Sequence, residues 1–179
     1  MSVNLTKLGE SLFDKSDKVN TEIFVLTYGS VVTSVLKTCE SVDAANDKLE
    51  KLGYNMGIRL VDDFLVKTQL SCKTFKDAID CIKVGFKMYL NVYAESFSTG
   101  EVHGSEPVHE YSLELKGNPI NDYVELPNHL SGLRYLAILS GVIKGCLSQV
   151  GHKVEVRETG LVLRGDRADV LRIKYLGVE

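Results

Sequence analysis

The stretch "VDAANDKLEKLGYNMGIRLVDDFLVK", residues 42–67, decides the fold class. Apolar side chains recur at Val42, Ala45, Leu49, Leu52, Met56, Leu60 and Phe64, the spacing of one helix face. Ser41 stands just ahead with a hydroxyl suited to accept a backbone N–H, so the pattern predicts a helix opening at Val42. Gly53 and Gly57 lie four apart on one side of it. Each glycine costs about 1 kcal/mol in a helix relative to Ala, which packing must offset, and close approach of another backbone is the obvious means. Charged residues flank the pair, which favours helix packing in a soluble fold over pairing of membrane spans.

Working outward, "EIFVLTYGSVVTSVLK" (22–37) reads as a helix that is apolar on nearly every side and therefore needs contacts all round. Single domains rarely leave large apolar patches in water, so part of this helix is expected to meet a partner. Downstream, Thr74-Phe75-Lys76-Asp77 resembles a capping box and opens a third helix with Phe75, Ala78, Ile79, Ile82, Phe86, Tyr89 and Leu90 on one stripe. The period changes after Leu90: "NVYAESF" reads as a strand and "EYSLELKG" alternates, with Tyr111, Leu113 and Leu115 on one face. "LSGLRYLAILSGVIKGCLSQV" (130–150) resumes an apolar helix, and "KVEVRE", "LVLRG" and "ADVLRIKYL" read as short strands. Helices followed by antiparallel strands make an α+β domain.

At 179 residues with 44% apolar content the chain can bury a core as one domain without disulfides or metal. A net charge of -3, with Lys and Arg scattered, excludes a footprint for nucleic acid. "MSVNLTKLGE" lacks a long apolar run, so the four cysteines are expected reduced, in the cytosol. Arg134 and Lys144 interrupt the longest apolar segment, so any membrane contact is expected to be peripheral. By the same compartment argument the Asn4-Leu5-Thr6 sequon is silent, and Arg164-Gly165-Asp166 is a turn.

His103, His109, His129 and His152 sit in connectors without metal-ligand spacing and are expected at the surface. Nucleophile-elbow, phosphate-loop and dinucleotide motifs are lacking, and Asp62 and Asp63, adjacent on a helix, point apart. No enzymatic activity is expected. Cys72 alone is placed for chemistry, two residues before the Thr74 cap and near Lys67, Lys73 and Lys76, which favour a thiolate, the nucleophile of acyl or disulfide transfer; the alternative is an unmodified connector cysteine, since a position outside the helix weakens the dipole effect. Cys39, Cys81 and Cys146 fall in helical patterns and read as small hydrophobes.

The blocks "LTYGSVVTSVLK", "LGYNMGIRLVDDFL", "VGFKMYL" and "NPINDYVELPNHLSGLRYLAILSGVIKG", in this order from about Glu22 to about Val150, resemble the Bet-three-type small subunits of TRAPP, the transport protein particle. The resemblance implies an α+β fold with helices packed on one side of a small antiparallel sheet. It divides the chain into a flexible extension, residues 1–20, and a single domain, 21–179. The function it implies is that of a non-enzymatic core subunit of a vesicle-tethering complex between endoplasmic reticulum and Golgi, cytoplasmic and peripheral at those membranes. Implied partners are other small TRAPP subunits, in a heterodimer and the larger complex, a second copy in a homodimer, and a Rab GTPase whose nucleotide exchange the assembled complex catalyses. Family members dimerise through their first helices, which makes Phe24, Tyr28, Val31, Val32 and Val35 the interface candidates.

Cys72 resembles the family cysteine that carries a thioester-linked palmitate, the chain lying in a hydrophobic tunnel. Periodicity nominates Phe64, Ile79, Ile82, Phe86, Leu136 and Ile143 for the tunnel wall. An alternative reading is a module that binds an acyl chain or another hydrophobic ligand at Golgi membranes.

Overall fold

The computed structural model describes residues 4–99 and 109–179; His103 and most of the connector before His109 lie outside them. Among the described residues, five α-helices and four strands follow one another: α1 (Leu5–Lys15), α2 (Thr21–Thr38), α3 (Val42–Thr68), α4 (Phe75–Leu90), β1 (Tyr93–Ser98), β2 (Glu110–Lys116), α5 (Ala137–Gln149), β3 (His152–Gly160) and β4 (Asp169–Val178). The strands form one antiparallel sheet in the order β1-β2-β4-β3. Leu113 pairs with Leu171, and Ile173 lies between Tyr111 and Val156, so one face of the sheet is buried against the helices. Arg157, Arg172 and Lys174 alternate with them onto the solvent face. This is the expected α+β architecture, with helices on one side of a small sheet.

Local chemistry starts the helices where the sequence predicts. The Ser41 hydroxyl accepts from the Ala44 N–H at 3.1 Å. Thr74 and Asp77 form a reciprocal capping box, at 3.1 Å from the Asp77 N–H and 3.0 Å from the Thr74 N–H. Asn20 caps α2 by accepting from the Glu22 N–H at 2.8 Å.

The contact that organises the helices is between α3 and α5. A methyl group added at Gly53 would lie 2.0 Å from the Ile138 carbonyl oxygen, and one at Gly57 2.3 Å from that of Val142. The approach is reciprocal, because a methyl at Gly141 would meet the Glu50 carbonyl oxygen at 2.0 Å and one at Gly145 that of Tyr54 at 2.2 Å. The two glycines read in the sequence thus mesh with two more, and backbone touches backbone. Polar groups pin the same junction: Arg134 donates to Glu50 at 2.8 Å, Lys144 reaches the other Glu50 oxygen, and the Tyr54 and Ser148 hydroxyls are 3.0 Å apart.

Three expectations are corrected. Residues 5–15 are not a flexible extension: α1 packs on α4, with Leu5, Leu8 and Leu12 against Phe64, Val84 and Met88. The helix expected from Leu130 begins only at Ala137, because Asn46 on α3 captures the intervening backbone, donating to the Gly132 carbonyl and accepting from the Arg134 N–H. "LVLRG" is not a strand. The N–H groups of Leu161 and Val162 donate to the carboxylates of Asp166 and Asp169, and Val162–Arg164 closes into a 3₁₀ turn ending at Gly165, whose φ is +92°. That turn holds the Arg-Gly-Asp sequence.

Gly53→Ala is expected to lower unfolding free energy by about 3 kcal/mol in urea, since neither backbone can yield to a methyl at that distance. Gly132→Ala, whose methyl would meet only the Val42 side chain at 3.7 Å, is expected to leave it unchanged.

Candidate functional site

With α3 and α5 locked together, α4 packs instead on α1 and β1, and an apolar cavity of about 310 Å³ lies between these helices. Its wall takes Met56, Leu60, Val61 and Phe64 from α3, Ala78, Cys81, Ile82, Gly85, Phe86 and Tyr89 from α4, and Ile138, Leu139, Val142, Ile143, Cys146 and Leu147 from α5. Phe24 and Tyr28 of α2 complete one side, and Cys72 joins from the connector between α3 and α4. Met56 and Tyr89 are exposed, so the cavity reaches the surface.

Four of the residues nominated for a tunnel, Phe64, Ile82, Phe86 and Ile143, stand on this wall. Ile79 and Leu136 do not: both are buried in the neighbouring core, Ile79 one position round the helix from Ala78. Of those nominated for a partner surface, Tyr28, Val32 and Val35 are instead buried within the chain. Tyr28 donates to the Tyr135 carbonyl at 2.6 Å, which fixes α2 on the turn ahead of α5. Phe24 is half-buried on the cavity wall. The apolar side of α2 facing water is Ile23, Leu26 and Val31, exposed by 61%, 63% and 37%.

The wall suits hydrocarbon. Its two phenols are turned to partners outside the cavity, Tyr28 to the Tyr135 carbonyl and Tyr89 to the Asp63 carboxylate at 2.7 Å. The remaining heteroatoms are sulfurs. The Cys146 thiol donates to the Gly57 carbonyl, and burial pushes its pKa up to about 12, which keeps it neutral. Cys72 differs. Its sulfur lies 3.1 Å from that of Cys81, and the hydrogen bond between the two sulfurs holds the Cys72 pKa below the ordinary thiol value, against burial and the Asp77 carboxylate. The same bond, with burial, pushes Cys81 up. The thiolate is therefore favoured by a second cysteine, where the sequence pointed to lysines and a helix terminus; Lys67 is paired with Asp63 at 2.8 Å.

Sequence reading missed Cys81, because nothing in a helical pattern says that the preceding connector folds back onto its second turn. It also placed His152 at the surface. The ring is buried, with Nε2 3.1 Å from the Cys72 carbonyl oxygen, and it packs tilted against Phe75 and edge-on to Tyr175. His152 thus anchors the cysteine's backbone and does not face its thiol.

A family model described as "Transport protein particle (TRAPP) component" matches residues 24–174. The chain belongs to the TRAPP family. Trafficking protein particle complex subunit 3 of Dictyostelium discoideum is 39% identical over 176 residues, 97% of this chain and 92% of that protein. Transport protein particle subunit bet3 of Schizosaccharomyces pombe is 40% identical over 171 residues, 94% and 90% of the two chains. A crystal structure of a trafficking protein particle complex subunit 3 from Naegleria fowleri, covalently bound to palmitic acid, superposes with a TM-score of 0.82 at 39% identity, covering 90% of this chain and 98% of that one.

The Cys72–Cys81 contact has a titration consequence. Cys81→Ala removes the donor that favours the Cys72 thiolate, so the Cys72 pKa is expected to rise and its thiolate fraction at pH 7 to fall. The pH profile of iodoacetamide alkylation, read by peptide mass, should move its midpoint upward; an unmoved midpoint would assign the activation to other groups.

Proposed function

We propose that the chain is a non-catalytic core subunit of a TRAPP complex and carries a fatty acyl chain on Cys72 inside the helical cavity. The observation that carries the reading is the position of a favoured thiolate on the wall of a hydrocarbon-lined cavity, in a chain of this family. Kept empty, a volume of 310 Å³ would cost roughly 7 kcal/mol at about 24 cal/mol per Å³, comparable to the whole stability of a domain. A sixteen-carbon chain buried there contributes on the order of 10 kcal/mol at about 0.8 kcal/mol per CH₂. In the acylation step the Cys72 thiolate attacks the carbonyl of an acyl thioester and the donor's thiolate leaves, one thioester forming as another breaks. Phe64, Ile82, Phe86 and Ile143 would hold the chain, which acts as core material rather than as a membrane anchor.

The exposed stripe Ile23, Leu26 and Val31 on α2 serves the scaffold role, as the contact to another small TRAPP subunit or a second copy. The assembled complex, in this reading, catalyses nucleotide exchange on a Rab GTPase in transport between endoplasmic reticulum and Golgi, with the chain cytoplasmic and peripheral to those membranes. The second reading, a module that takes up a free hydrophobic ligand, is favoured by the exposed Met56 and Tyr89 on the cavity wall.

Protein purified from its own cells is expected to co-purify with other small TRAPP subunits in fixed stoichiometry and to carry a mass adduct removable by hydroxylamine. Cys72→Ser is expected to abolish the adduct. An adduct that survives the substitution refutes Cys72 as its site, and apolar material extracted without any adduct supports the free-ligand reading. Leu26→Asp is expected to dissociate the α2-mediated complex on size exclusion while the circular dichroism spectrum stays native, because that side chain is in water in the isolated chain.

A further inference from the structure

Acylation uses one thiol, yet three line the cavity, and the placement of the second is unlike that of the third. Cys146 is turned to the Gly57 carbonyl, 3.3 Å away. Cys81 sits in the second turn of α4 and meets Cys72 sulfur to sulfur at 3.1 Å. The capping box fixes the first turn of α4, so Cys81 is on a rigid element. Cys72 is on an extended connector between the left-handed C-cap Gln69 of α3 and the N-cap Thr74 of α4, and it is partly exposed to solvent. Closing the gap to the disulfide distance of about 2.05 Å takes a movement of about 1 Å between the two sulfurs.

We infer that Cys72 and Cys81 are a redox couple that a peroxide converts into an intrachain disulfide. The Cys72 thiolate attacks one oxygen of hydrogen peroxide; the O–O bond breaks, hydroxide leaves, and Cys72 becomes a sulfenic acid. Cys81 then attacks the Cys72 sulfur, forming the S–S bond, and the sulfenic oxygen departs with the Cys81 proton as water. In sum two thiols and one peroxide give one disulfide and two waters. The order is set by the pair itself. While Cys72 carries the charge, Cys81 stays protonated; once Cys72 is a neutral sulfenic acid, that restraint on Cys81 ionisation is gone. Disulfide exchange with a cellular dithiol reverses the bond.

The consequence for function rests on the acylation reading: thioester and disulfide compete for the sulfur of Cys72. An oxidised chain cannot accept an acyl group, and an acylated chain cannot close the disulfide. Oxidation before acylation would hold the subunit without its hydrocarbon core, and reduction would release it for loading.

The test uses the full chain, stripped with hydroxylamine and reduced, then exposed to hydrogen peroxide and mapped by mass spectrometry under non-reducing conditions. The expected result is loss of two hydrogens from the intact mass and a tryptic species joining the peptide of Cys72 to that of Cys81, both reversed by dithiothreitol. In Cys81→Ala the expected product is a Cys72 sulfenic acid trapped by dimedone, and Cys39→Ser, which is not on the cavity wall, should behave like the unmodified sequence. Because the unmodified sequence alone reports the linkage, a variant that fails to fold does not decide the outcome. A sulfenic acid on Cys72 that accumulates without the linkage, a linkage to Cys146, or thiols inert to peroxide would overturn the couple. Incubating oxidised and reduced protein with palmitoyl-coenzyme A separates the two readings. A disulfide in a chain that neither form can acylate upholds the couple and refutes acylation, whereas acylation at Cys72 with no disulfide does the reverse.

Discussion

Backbone contact between α3 and α5 is the constraint from which the rest of the structure follows. Four glycines allow it, two on each helix, and any side chain at those positions would push against a carbonyl oxygen at about 2 Å. Helices that close cannot take a third helix into the same groove. Helix α4 is therefore displaced onto α1 and the first strand, and the volume between becomes the cavity. The Glu50 carboxylate, shared by Arg134 and Lys144, reinforces the junction; although burial works against its ionisation, the two cations hold its pKa below the usual carboxylate value. Its contribution is thus present above the unfolded carboxylate pKa and is lost as pH falls through the lower folded one.

The cavity and the thiol pair have separate physical origins. Hydrocarbon lining comes from the inward stripes of four helices, whereas the sulfur contact comes from a short connector folding back over the start of α4. His152, buried on β3, holds the Cys72 carbonyl from the other side. Family membership is compatible with many fillings of such a space. The Cys72 sulfur at its edge, beside that of Cys81, adds a nucleophilic group that the lining by itself does not supply.

Periodicity made most of the helical half legible, and the caps at Ser41 and Thr74 were readable because their hydroxyls act locally. What failed to be legible depends on contacts distant in sequence. The turn before Ala137 obeys Asn46, many residues earlier, and the strand expected at Leu161–Gly165 is undone by the carboxylates of Asp166 and Asp169. At the site, only four of the six residues nominated from helical stripes stand on the wall, because a stripe marks burial without marking what it is buried against. The same limit explains α2: its apolar excess was plain, but only the fold tells Tyr28, Val32 and Val35, which serve the core, from Ile23 and Leu26, which do not. Gly53 and Gly57 announced a close neighbour, yet its identity required Gly141 and Gly145 to be in place.

The glycine junction also separates what sequence change can and cannot alter. Where main chain meets main chain there are no side chains to trade, so the geometry of α3 against α5 is nearly closed to gradual drift. Helix α4 lies outside that lock and bears on α1 through side chains, among them Lys87, whose stem lies under Gly9 and whose amine sits over the Tyr93 ring, 3.7 Å from its centroid. Substitutions on α4 and α1 can therefore resize or reshape the hydrocarbon chamber while the frame that presents it stays fixed. One architecture thus joins a frame closed to drift with a chamber wall open to it, and changes on α4 and α1 leave the exposed Ile23, Leu26 and Val31 of α2 as they are.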